Sequence, residues 1–146
     1  MKSPSSGGYL ISKINQVAGR IFNKLLKDNE IEINRAQGKI MFALWKKDGI
    51  TIKELAKETS LSKSTMTPML DRLETMGYIK RIPSKTDRRT ILIERTAKDK
   101  KMQETYIKVS KEMIEITYKD FTIDEIDEFE KYLTRIFDNL VTYETK

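Results

Sequence analysis

The spacing of apolar residues changes once along this chain, and that change limits the folds open to it. As far as Met76 the apolar positions recur every three or four residues, the period of a helix face. Two β-branched runs follow, Tyr78-Ile79-Lys80-Arg81-Ile82 and Thr90-Ile91-Leu92-Ile93-Glu94. Between them lies Pro83-Ser84-Lys85-Thr86-Asp87-Arg88-Arg89, so the segment reads as a hairpin with a long basic loop. Beyond Thr96 the helical period returns. Helices, one two-stranded hairpin, then helices again give an α+β chain that is mostly α, with six helices.

Four capping boxes mark where helices begin, each pairing a Ser/Thr/Asn side chain with an acceptor three residues on. They are Asn34-Arg35-Ala36-Gln37, Thr51-Ile52-Lys53-Glu54, the weaker Thr96-Ala97-Lys98-Asp99, and Thr122-Ile123-Asp124-Glu125. The first helix is expected from about Tyr9 to Lys27, with Leu10, Ile14, Val17, Ile21 and Leu25 on one stripe. The second runs from about Arg35 to Lys47, with Ile40, Ala43 and Leu44 inward. A short third spans about Ile52 to Thr59 and a fourth about Lys63 to Met76; the last two cover about Ala97 to Lys119 and Ile123 to Tyr143. Residues 1–8 read as a flexible polar lead, 34–96 as one functional region, and 9–33 with 97–146 as a helical region built from both ends.

The third and fourth helices, joined through Ser60-Leu61-Ser62, form a helix-turn-helix. Leu55, Ala56, Leu61, Met69, Leu70 and Leu73 are spaced to hold the two together, with Ala56 small where they approach. The fourth helix opens on Ser62, Lys63, Ser64, Thr65 and Thr67, short polar side chains suited to entering the major groove of duplex DNA. Arg72 lies two turns further on. Pro68 falls past the first turn, where proline is tolerated, so the helix either starts later or kinks. In the hairpin, Arg81, Lys85, Arg88 and Arg89 can follow the phosphate backbone or enter the minor groove, and Asp87 is expected to orient an arginine side chain.

Charge follows the same division. The formal net charge is +6, but residues 1–50 carry 9 Lys/Arg against 4 Asp/Glu, residues 51–101 carry 13 against 7, and residues 102–146 carry 6 against 11. The basic two-thirds suits a polyanion; the acidic remainder does not. The chain has no Cys and no His, which removes disulfides, thiol nucleophiles and imidazole bases, and no Gly-rich phosphate loop. Catalysis is therefore not expected, nor any cofactor or metal. No apolar run reaches the ~20 residues of a membrane span, and the start is not that of a signal peptide, so a cytoplasmic protein is expected. A winged-helix protein–protein module and a small carboxylate enzyme are the rival readings; salt-sensitive DNA binding separates the first reading from both.

Ile52-Lys53-Glu54-Leu55-Ala56, Leu61-Ser62-Lys63-Ser64-Thr65-Met66-Thr67, Leu70-Asp71-Arg72-Leu73-Glu74, Gly77-Tyr78-Ile79 and Asp87-Arg88-Arg89 together resemble the MarR (multiple antibiotic resistance regulator) family of winged-helix regulators. The Asp-x-Arg wing pattern falls on Asp87 and Arg89. After the wing this chain departs from the family's Leu-Thr and glycine, running Glu94-Arg95-Thr96 to Asp99. The resemblance implies a homodimer joined by its first and last two helices. It further implies inverted half-sites in the DNA, and release by a small organic ligand bound between the dimerisation and DNA-binding regions. The sequence carries its own dimer signal. Ile126, Phe129, Leu133, Ile136 and Leu140 form a seam-like stripe, as do Met102, Tyr106, Val109, Met113 and Ile116, although the latter could pack within one subunit. Leu10, Ile14 and Val17 are the dimer candidates of the first helix.

Overall fold

The computed structural model describes residues 6–146. Its helices are α1 (Gly7–Asp28), α2 (Arg35–Lys46), α3 (Ile52–Thr59), α4 (Lys63–Thr75), α5 (Lys100–Thr117) and α6 (Ile123–Glu144). Its strands are β1 (Ile50–Thr51), β2 (Ile79–Pro83) and β3 (Ile91–Arg95), and a 3-10 turn covers Ala97–Asp99. Two compact units result, one extending to Ser110 and one from Lys111 to Lys146.

Three of the four capping boxes form with both reciprocal bonds, at Asn34/Gln37, Thr51/Glu54 and Thr122/Glu125. The fourth does not. Thr96 makes no cap, and Asp99 is drawn instead into contacts with α2 and β3. The helix expected from Ala97 therefore opens as a 3-10 turn and becomes α-helical at Lys100. At the other end, α1 begins at Gly7, so Gly7 and Gly8 belong to the helix rather than to the lead; residues 1–5 lie outside the described residues.

The strands sit one residue later than expected, and β1 joins the hairpin as a third strand in the order β1-β3-β2, all antiparallel. Two residues give no periodic signal, which is why β1 is silent in the sequence; burial of Ile50 holds it against Ile93. The core of the first unit is built by Leu26, Ile40, Met41, Leu44, Leu55, Leu70, Leu73, Ile79 and Ile93, all essentially inaccessible. Each such side chain contributes roughly 1.5–3 kcal/mol by leaving water. Met66 belongs to this core and Met69, expected there, is only half-buried. The fifth-helix stripe divides: Met102, Tyr106 and Val109 are buried within the chain, while Ile116 is exposed. In α6 no residue is buried.

Candidate nucleic-acid interface

The turn between α3 and α4 is made by Ser60, whose φ of 58° is left-handed and ends α3. Ser62 then starts α4: its Oγ accepts from the Thr65 amide at 3.2 Å. The same hydroxyl donates to Thr65 Oγ1 at 2.9 Å and lies 3.1 Å from Ser64 Oγ, and Thr67 Oγ1 donates to the Lys63 carbonyl at 2.8 Å. Ser62, Lys63, Ser64, Thr65 and Thr67 are all exposed. They form one polar turn whose hydroxyls are held in place before any ligand arrives. The helix N-terminus behind them adds partial positive charge.

Helix α4 starts at Lys63, so the late-start alternative for Pro68 is not taken, and the proline lies within the helix. It has no amide to give the Ser64 carbonyl four residues back. At its far end α4 closes on Gly77, whose φ of 86° allows the Tyr78 amide to reach back to the Leu73 carbonyl at 3.0 Å.

The hairpin tip is organised by Asp87, though not in the manner expected. Its Oδ1 accepts from the Arg89 backbone amide at 3.0 Å and its Oδ2 from Thr90 Oγ1 at 3.2 Å. The Thr90 amide closes the turn onto the Asp87 carbonyl at 3.0 Å. Asp87 thus shapes the backbone that carries Arg89, and no arginine side chain pairs with it among the described residues. The distinction follows from reach: an aspartate satisfies amides two residues ahead more readily than a long side chain projecting away. Lys85, Arg88 and Arg89 are exposed and make no ion pair among the described residues.

Arg81, grouped with these cations in the sequence, is placed differently. From β2 it reaches α4, with Nη2 2.7 Å from Asp71 Oδ1 and Nη1 3.7 Å from Glu74 Oε1. It braces the wing against the helix, whereas Arg72 on the neighbouring position is exposed.

Four ionisations are displaced around this scaffold. The Glu54 carboxyl is lowered, first by the Thr51 amide it caps. Tyr78 is pushed up to about 12 by burial and by its hydrogen bond to Glu32. Tyr106 is pushed up to about 12 by burial. Asp99, hydrogen-bonded to Arg95, raises the guanidinium further. No group of metal-ligating side chains occurs among the described residues, and no described helix is long and apolar enough to cross a membrane.

Sequence reasoning missed the cluster at the end of the wing. Asp99, fully buried, accepts from Trp45 Nε1 at 2.8 Å and from Arg95 Nε and Nη2 at 3.0 and 2.9 Å. In the sequence Asp99 read as the acceptor of a weak capping box, and its true partner Trp45 lies 54 positions away.

A three-helix core bearing an exposed polar helix start and a basic hairpin defines a winged-helix protein. The MarR family model matches residues 33–91. The chain is 29% identical over 130 residues to the multiple antibiotic resistance protein MarR of Escherichia coli, covering 88% of this chain and 89% of that protein. It is 31% identical over 108 residues to the HTH-type transcriptional regulator SarZ of Staphylococcus haemolyticus, covering 73% and 71%. A crystal structure of a mutant E. coli MarR complexed with operator DNA superposes with a TM-score of 0.80 at 29% identity, covering 88% of this chain and 91% of that one. The chain belongs to the MarR family of transcription regulators.

Proposed function

We propose that this chain is a sequence-specific duplex-DNA-binding repressor, acting as a homodimer on inverted half-sites and released by a small organic ligand. The observation that carries the DNA reading is the pre-ordered turn Ser62–Thr67 together with a wing whose Lys85, Arg88 and Arg89 make no ion pair among the described residues. In this reading Ser64, Thr65 and Thr67 meet base edges in the major groove, with Ser62 and Lys63 at the adjacent phosphate. Arg89 enters the minor groove, held by the Asp87 turn; Lys85 and Arg88 follow the backbone, as does Arg72. Arg81 serves the interface indirectly, by bracing α4. The similarity to the E. coli protein whose structure contains operator DNA supports this assignment.

The dimer is supported by apolar side chains that a single chain leaves in water: Leu10, Ile14 and Val17 on α1, and Phe129, Ile136 and Leu140 on α6. Ile126 and Leu133, half-buried, continue the α6 stripe. For the ligand, an open cleft of about 530 Å³ lies beside α4, lined by Glu32, Asn34, Gln37, Asp71, Arg72 and Thr75 among others.

The experiment is a mobility shift on DNA upstream of the protein's own gene, at several salt concentrations. Six to ten phosphate contacts would lower affinity about 10³–10⁵-fold between roughly 50 and 200 mM salt. Arg89→Ala should cost about 1–3 kcal/mol, with Asp87→Ala a partial copy through the lost turn. Lys101→Ala should stay within about 0.5 kcal/mol. Equal, small effects from all three variants would remove the wing from the interface.

A further inference from the structure

Asp99 is an expensive residue to place where it is. A carboxylate with no solvent exposure loses hydration that only well-directed donors restore, and an apolar residue would often be at least as stable there. Here the donors are present, and they come from separate elements. Trp45 Nε1 reaches it from α2, and Arg95 grips it through both Nε and Nη2 from the end of β3. Arg95 is itself held at 2.9 Å through its amide by Asp48, before β1, and at 3.3 Å through Nη2 by Gln103 on α5.

The same five-residue segment grips the turn that closes α4. Thr96 Oγ1 donates to the Gly77 carbonyl at 2.6 Å, and the Thr96 amide to the Tyr78 carbonyl at 3.0 Å. Lys98 Nζ donates to the Met76 carbonyl at 2.5 Å, its ammonium 4.8 Å from the centre of the Tyr78 ring. Lys98 thereby places a cation at the C-terminal end of the recognition helix, where the helix dipole favours one. Residues 95–99 therefore join the end of β3 to α2, to α5 and to the turn that closes α4. Asp99 is the only fully buried member of the segment.

We propose that Asp99 is a positioning residue for DNA reading: by clamping Arg95 and Trp45 it fixes the segment that holds the end of α4 to the wing, so that helix and wing meet DNA as one rigid surface. DNA must be met by both elements at once, and a site about an ångström too loose fails even when every contacting residue is present. Contacts to phosphate alone tolerate such looseness, because they carry no sequence information. Loss of the clamp therefore lowers discrimination between sequences, and leaves non-specific binding in place.

The inference rests on the DNA-reading function proposed above, so wild type is run beside every variant. Duplexes are first enriched from a random library with the wild-type protein. Affinity is then measured at 25 °C for the enriched duplex and for a scrambled one, on protein whose active fraction has been titrated. Asp99→Asn keeps the shape and an acceptor for Trp45 but removes the charge that clamps Arg95. The expected result is a loss of about tenfold or more in the ratio of enriched to scrambled affinity, with scrambled affinity and its salt dependence unchanged. Trp45, the single tryptophan, should also show altered emission. A lower melting temperature with the ratio intact would mean that Asp99 only stabilises the fold, and would overturn the proposal. If Asp99→Asn does not fold, Trp45→Phe decides the matter: it deletes one donor and keeps an aromatic ring, and an unchanged ratio there overturns the proposal equally. Failure of the wild type to enrich any duplex overturns both this inference and the function on which it rests.

Discussion

Gly38 and Tyr106 show how closely α2 and α5 are fitted. A Cβ at Gly38 would lie 2.6 Å from Tyr106 Cε2 and 2.8 Å from Cζ, inside any real contact. The ring is fixed by edge-on contacts to Phe22 and Trp45, at centroid distances of 5.6 and 5.3 Å, so it has little room to yield. That burial has a consequence at high pH. Tyr106 and Tyr78 both titrate near 12 in the folded chain, against 10 for an ordinary phenol. The folded state therefore holds these protons more tightly than the unfolded one. Their contribution to stability is complete below pH 10 and disappears as pH rises towards 12. Denaturant titrations from pH 9 to 12 should show stability falling across that window, and Tyr106→Phe should make the fall shallower. A fall of the same steepness in the variant would show that Tyr106 does not contribute.

Helix α4 is the element on which sequence and structure can be compared most directly. Its capping serine and its exposed hydroxyls were legible because each depends on neighbours within four residues, whereas Pro68 left its start open between two readings. The caps of α2, α3 and α6 were legible for the same reason. What the sequence hid depends on partners far along the chain. Asp99 resembles a capping-box acceptor until Trp45, 54 positions earlier, is seen to claim it. Arg81 resembles a wing cation until Asp71 and Glu74 take its guanidinium. Met66 and Met69 are separated by less than a turn, and only the packing of α4 decides which of them is buried. The hydroxyl turn should read sequence, whereas Arg72 and Lys85 should not. Substituting Ser64, Thr65 or Thr67 should change base preference by about 1–3 kcal/mol at individual positions. Substituting Arg72 or Lys85 should weaken all duplexes alike. Selection from a random library tests this, and one motif shared by all the variants would remove α4 from sequence reading.

For the whole molecule, the telling fact is how much apolar surface one chain leaves in water. Sequence patterning showed the stripes on α1 and α6, but periodicity alone cannot say whether a stripe is met from within or from outside. In α6 Phe129, Ile136, Phe137 and Leu140 remain 41%, 42%, 53% and 65% exposed. Covered by a second copy, each would contribute as a core residue does. Association and folding then become linked, and the melting temperature should rise with protein concentration. Scanning calorimetry over a hundredfold dilution series checks this, and a constant midpoint would argue for a monomer. Linkage of that kind would tie the chain's resistance to proteolysis to its own concentration. A paired chain would cover α6, whereas an unpaired one leaves Phe137 and Leu140 open to proteases. Exposure of α6 would then act as a timer on every unpaired copy, running shortest where the protein is scarcest.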